Sequence, residues 1–164
     1  MMKKIMWGII ILFILGAMGG GSKGSKSSVS IRANMGETFK VDDFSFNVEK
    51  TEYVNSIQDL NQFASESGSG IYLLVYVSVT NNASEAKLIT SNAFSAYRGE
   101  AKYDYDASAT MYAASKYKRQ QLTKINPGIT ADGIVVFNLP DATNKTQLKV
   151  SPGFWGSTAT VQIL

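Results

Sequence analysis

The chain has 164 residues, 45% of them hydrophobic, with 8 Tyr, 8 Phe and 2 Trp, which is enough apolar area for one core and one ordinary domain. It contains no cysteine and no histidine, so thiol and imidazole catalysis, thiolate metal sites and disulfides are all excluded. Of the 16 basic residues four (Lys3, Lys4, Lys23, Lys26) precede Val29, whereas all 13 acidic ones follow it; the remainder, 12 basic against 13 acidic, lacks the positive field that nucleic-acid backbones demand.

Lys3 and Lys4 lead into Ile5 to Met18, an apolar stretch of fourteen residues, the length of a secretory h-region. As a helix it covers roughly 21 Å, and roughly 25 Å with Gly19 to Gly21, short of the ~30 Å of bilayer hydrocarbon. Residues 1–21 are therefore read as an N-terminal apolar helix, a signal peptide or a membrane anchor that spans only with local thinning. The two lysines stay on the cytoplasmic side and send the rest of the chain outward, to an extracytoplasmic position at the envelope or in the medium. Leu15-Gly16-Ala17 opens like a bacterial lipoprotein signal, but Met18 stands where the lipidated cysteine would be expected. Methionine's sulfur is already alkylated, so no lipid attachment residue remains. Cleavage near Ala17-Met18-Gly19 and retention as an anchor both stay open. Residues 22–33 are read as a Gly/Ser/Lys-rich linker; Gly19 to Ser28 alone hold four Gly, four Ser and two Lys.

From residue 34 to 164 the pattern is that of a β domain. Phe44, Phe46 and Val48 alternate with polar residues, the period of a strand with one buried face. Ser56 to Ser67 interrupts this rhythm and suggests a short helical turn, with Ile57, Leu60 and Phe63 among polar residues. Ile71 to Thr80 is the longest strand; Ile71, Leu73, Val75, Val77 and Val79 line one face, and Tyr72, Leu74 and Tyr76 make the other half-apolar, as in a central strand covered on its second side. Asn81-Asn82 supplies a turn. Ala93 to Arg98 pairs with Ala101 to Tyr105 across Gly99-Glu100. Ser108 to Gln121 is alanine-rich and is either a helix or a long loop. Gly133 to Leu139 is stopped by Pro140, and Thr146 to Ser151 and Ala159 to Leu164 complete the set. Seven or eight strands without alternating helices predict an all-β, antiparallel sandwich.

Gly36 to Val48, Tyr72 to Asn81, Tyr97-Arg98-Gly99 with Tyr103, and Asn126-Pro127-Gly128 followed by Gly133 to Phe137 and Pro140 occur in an order that resembles one family, the domain of unknown function 4352. The resemblance covers about residues 34 to 164. It implies an immunoglobulin-like β-sandwich of bacterial lipoproteins and exported proteins, often held at the cell envelope. It brings no catalytic residues. Asn126-Pro127-Gly128 reads as a turn, Gly133 as a close approach or bulge, and Asn81 as a side-chain cap.

The chemistry on offer is thin. Asp42-Asp43 and Asp104-Tyr105-Asp106 are the close acidic pairs. Asp104 and Asp106 would share a strand face, but two carboxylates fall short of the ~6 to 8 oxygens that calcium takes. No phosphate loop or Ser-x-x-Lys set with its companion motifs occurs. The expectation is a non-enzymatic binding module without metal or cofactor. Its rivals are a metal-dependent or hydrolytic enzyme using Asp104 and Asp106, and a purely structural envelope protein. The candidate partner surface is Tyr103, Tyr105, Tyr112 and Tyr117 with Lys118 and Arg119, since tyrosine gives stiff amphipathic contact area and arginine favours its company. The opposing reading packs these rings on the second face of a sheet with their hydroxyls reaching water. The partners expected are the membrane, through the N-terminal segment, and a protein or cell-surface ligand.

Overall fold

The computed structural model describes residues 29–58, 65–66, 70–142, 145–153 and 156–163. The expected apolar helix of residues 1–21, and Met18 with it, lies outside them. The strands are β1 (Ser30–Asn34), β2 (Thr38–Val41), β3 (Phe44–Val54), β4 (Ile57–Gln58), β5 (Ser65–Glu66), β6 (Ile71–Asn81), β7 (Lys87–Leu88), β8 (Phe94–Arg98), β9 (Ala101–Asp104), β10 (Lys124–Ile125), β11 (Thr130–Leu139), β12 (Gln147–Val150) and β13 (Thr158–Gln162); one α-helix, α1 (Ala107–Lys116), lies between β9 and β10.

Two sheets form a β-sandwich: a five-stranded one in the order β1-β13-β12-β8-β9 and a four-stranded one in the order β11-β6-β3-β2. Their inner faces meet in one core. Phe39, Phe46 and Val75 from the four-stranded sheet pack with Phe94, Leu148 and Val161 from the five-stranded sheet. Phe46 stacks on Phe39 with ring centroids 5.8 Å apart and meets Phe94 edge-on at 5.9 Å, so aromatic contacts join the two layers.

A second, smaller apolar layer lies on the outer side of the four-stranded sheet. Tyr72, Leu74 and Tyr76 of β6 and Ile134 and Val136 of β11 pack there against Ile57 and the alanines of α1. Ala109 and Ala113, and Thr110 and Ala114, recur at i, i+4 and are all buried. These small side chains let the helix backbone come close to the sheet. Asp106 caps α1, its carboxylate accepting the Ala109 N–H at 2.9 Å.

Several expectations need correction. Nine strands, not seven or eight, make the two large sheets. The linker expected over 22–33 gives way at Ser30, because β1 pairs parallel with β13 and buries Ala33, so the sandwich is not wholly antiparallel. A five-residue edge strand whose partner lies over a hundred residues away leaves little local trace. Where a helical turn was expected over Ser56 to Ser67, Ile57 and Gln58 pair antiparallel with Glu66 and Ser65, an extended arrangement that seats Ile57 fully buried under α1; residues 59–64 lie outside the described ones. The stretch Ser108 to Gln121 is helical only as far as Lys116.

The β3–β6 register slips between Val48 and Lys50, making Glu49 a bulge residue. Before it Phe44, Phe46 and Val48 face the core; after it Thr51 and Tyr53 lie opposite Val75 and Leu73 and take over that face. One extra residue thus reverses the parity of the strand and carries Lys50, Glu52 and Val54 to the outer side.

Candidate functional site

The four candidate tyrosines do not form one surface. Tyr103 of β9 and Tyr105 just beyond it pack against the inter-sheet core, whereas Tyr112 and Tyr117 pack against the outer layer beneath α1. Tyr117 presents its edge to Tyr76 at 5.9 Å. Lys118 is exposed and takes a left-handed backbone (φ 53°) as the chain leaves the helix. Arg119 turns back to Glu49 at 2.9 Å and lies over the Tyr76 ring, 5.4 Å from its centroid.

The carboxylates have separate duties as well. β9 ends at Asp104, so the strand face that would hold Asp104 and Asp106 together does not extend to the second residue. Asp104 pairs with Lys102 at 2.7 Å and holds its ammonium above the usual lysine range; Asp106 is the helix cap. Asp42 accepts the Ser157 N–H at 3.1 Å, and Asp43 lies 3.6 Å from the Lys87 ammonium. Among the described residues no group of three or more Asp or Glu gathers around a space for a metal ion.

Glu49 anchors the most connected polar cluster. Burial pushes its carboxyl up, but the Ser78 hydroxyl and the Arg119 guanidinium outweigh that and hold it below its ordinary value. Beside it the Tyr76 hydroxyl, raised well above its ordinary range by burial and then by the Glu52 charge, donates to Glu52 at 3.3 Å. Lys50 lies 4.2 Å from the Tyr76 ring centroid on the solvent side. Each charge here has an opposite partner, which makes the cluster a clasp between β3, β6 and the end of α1.

The outer side of the five-stranded sheet is different, because its side chains stay exposed or half-exposed. Direct register pairs set Arg32, Thr160, Lys149, Ser95 and Asp104 in one row across five strands, with Gln162, Gln147, Tyr97 and Lys102 in the row beside it. A groove of about 560 Å³ runs over this face, lined by Thr90, Ser95, Tyr97, Lys102, Lys149 and Thr158 among others. A smaller depression of about 190 Å³ shares Tyr97, Lys149 and Thr158 and extends to Ser30, Gln147 and Thr160. The Lys149 ammonium stands 5.8 Å from the Tyr97 ring centroid. Alternation with Ala96 and with Leu148 and Val150 marks Tyr97 and Lys149 as outward residues in the sequence. That their strands lie side by side is a matter of topology, and no local pattern carries it.

A family profile described as a domain of unknown function (DUF4352) matches residues 33–160. The chain belongs to the DUF4352 family. Among curated proteins none matches the chain significantly. Of solved structures, this DUF4352 chain is similar to the YjhA protein of Bacillus subtilis at 14% identity, covering 80% of this chain and 99% of that one with a TM-score of 0.63. It is also similar to MPT63, a secreted protein of Mycobacterium tuberculosis, at 12% identity over 83% of this chain and 99% of that one (TM-score 0.57). YcdA, a candidate lipoprotein of Bacillus subtilis, matches at 18% identity over 76% of this chain (TM-score 0.52), and the match spans 38% of the YcdA chain. At these identities the likeness is one of fold.

Proposed function

We propose that this DUF4352 protein is an extracytoplasmic binding module, an immunoglobulin-like sandwich carried to the envelope by its N-terminal segment, and that it displays the outer face of its five-stranded sheet to a partner. No catalytic step belongs to this reading. The observation that carries it is the contrast between the two outer faces: α1 and an apolar layer cover the part of one around Tyr72, Tyr76 and Val136, and the other holds an open groove of mixed polar and apolar lining around Tyr97 and Lys149. Sheet faces left open on rigid frames are common places for recognition. The lysines at the N-terminus and the apolar stretch after them support export, as do the descriptions of MPT63 as secreted and of YcdA as a candidate lipoprotein.

Hydroxyl-radical footprinting tests this by comparing intact cells with purified protein. Tyr97 should be labelled less in cells than in solution, while Met111, exposed on α1, is labelled equally in both. Equal labelling of Tyr97 in the two settings overturns the reading.

A further inference from the structure

The charges on the open face are not balanced among themselves. Arg32, Lys102 and Lys149 lie on it against the single carboxylate Asp104, with Glu100 in the turn at one edge and Glu37, which accepts from the Asn34 side chain, at the other. Asp104 is engaged with Lys102. Among the described residues no carboxylate forms an ion pair with Arg32 or Lys149. From Val29 on the chain has 12 basic against 13 acidic residues in all, so the positive excess is local to this face. Arg32 and Lys149 sit in one row, separated by β13. At ~4.8 Å per strand they stand roughly 10 Å apart, which suits successive charges along a polymer better than one small anion.

We propose that this groove binds an anionic glycan, a polymer of hydroxylated units bearing phosphate or carboxylate. The proposal rests on the reading above that this face is the contact surface. Ser95, Thr158 and Thr160 supply hydroxyls that both donate and accept, matching a ligand whose own groups do the same. Tyr97 offers a flat ring for the C–H side of a sugar, and Lys149 beside it offers the charge. A protein partner fits less well. Protein interfaces depend on a desolvated aromatic or aliphatic centre, and here the one ring, Tyr97, is half-exposed and flanked by Ser95, Lys102 and Lys149, with Leu88 at one end of the groove. A shallow groove holds each unit weakly, so affinity comes from repetition along the chain.

Calorimetric titration of the full chain in neutral detergent tests this with three probes: phosphorylated dextran, polygalacturonate and neutral dextran. At least one of the two charged polymers should bind, more weakly as salt is raised, and which of them binds names the anion; dextran should not bind. The double variant Arg32→Gln/Lys149→Gln should weaken binding by about tenfold or more, as should Tyr97→Ala, with unchanged circular dichroism. Neutralising Lys40 on β2 and Lys118 after α1, both exposed and on other elements, should leave it unchanged. Binding of neutral dextran equal to that of the charged probes, an unaffected double variant, or equal loss in the Lys40/Lys118 control overturns the proposal. If Tyr97 is protected on cells and neither charged polymer binds, the glycan falls while the contact surface stands. If Tyr97 is not protected, both fall.

Discussion

Asn81 is the residue on which most loops converge. Its side chain is fully buried at the end of β6; the Nδ2 group donates to the Glu85 and Ile125 carbonyls at 2.8 Å each, and Oδ1 accepts the Ala83 N–H at 2.9 Å. Its backbone carbonyl also accepts the Gly128 N–H at 2.8 Å, tying in the turn at Asn126-Pro127-Gly128, where Gly128 has φ +72°. Asn81→Ala should cost about 3 kcal/mol, since it leaves buried carbonyls and an N–H without partners; a thermal melt that shifts by no more than a degree or so contradicts this. Asn81 as a side-chain cap was legible from its place after a long apolar run. That it reaches Ile125, 44 positions on, was not, because only the folded chain brings that carbonyl near. Gly133 is a similar case. A Cβ there would meet Leu122 Cδ2 at 2.7 Å, so the close approach was expected, but the residue approached was not.

At the scale of elements, α1 acts as an edge guard. β11 ends the four-stranded sheet, and an uncovered edge ten residues long invites pairing with another chain. The stretch around α1 occupies it. The Asp106 N–H donates to the Val136 carbonyl at 2.7 Å, the Val136 N–H donates to Thr110 Oγ1 at 3.0 Å, and the Gln120 N–H donates to the Asp132 carbonyl at 2.9 Å. A helix hydroxyl thus completes a sheet. Thr110→Val keeps the shape and removes the acceptor, so the Val136 amide should lose hydrogen-exchange protection and the fold about 1 to 3 kcal/mol, with Thr110→Ser restoring both. Unchanged exchange at Val136 would show that the hydroxyl is dispensable. The alanine pattern suggested a helix, but its purpose depends on β11 being an edge, which is set by strand order.

For the molecule as a whole, the absence of histidine means that no side chain has an ordinary pKa between about 5 and 8. Stability should therefore stay level across neutrality. In acid the Glu49 clasp gives way. Its folded carboxyl lies below its ordinary value of 4.5, so its contribution is complete above the unfolded pKa and is lost as pH falls through the folded one. Calorimetric melts from about pH 7 to pH 3 should show a plateau and then a decline. Glu49→Gln should be about 1 kcal/mol less stable at neutral pH and decline less in acid. A melting temperature that drifts through neutrality, or a variant as acid-sensitive as the parent, contradicts this.

By itself the sequence determined the β class, most of the strands and their inward residues, the turns at Gly99 and Gly128 and the stop at Pro140, because side-chain alternation and turn chemistry act between near neighbours. The tertiary structure alone decided four things: that Ser30–Asn34 joins the sheet, that Glu49 reverses the parity of its strand, that the tyrosines divide between two apolar layers, and that Arg32, Lys149 and Tyr97 share one open face. Each depends on pairing between distant segments, whose register is set by how whole faces seal against each other, and no local run of residues records it.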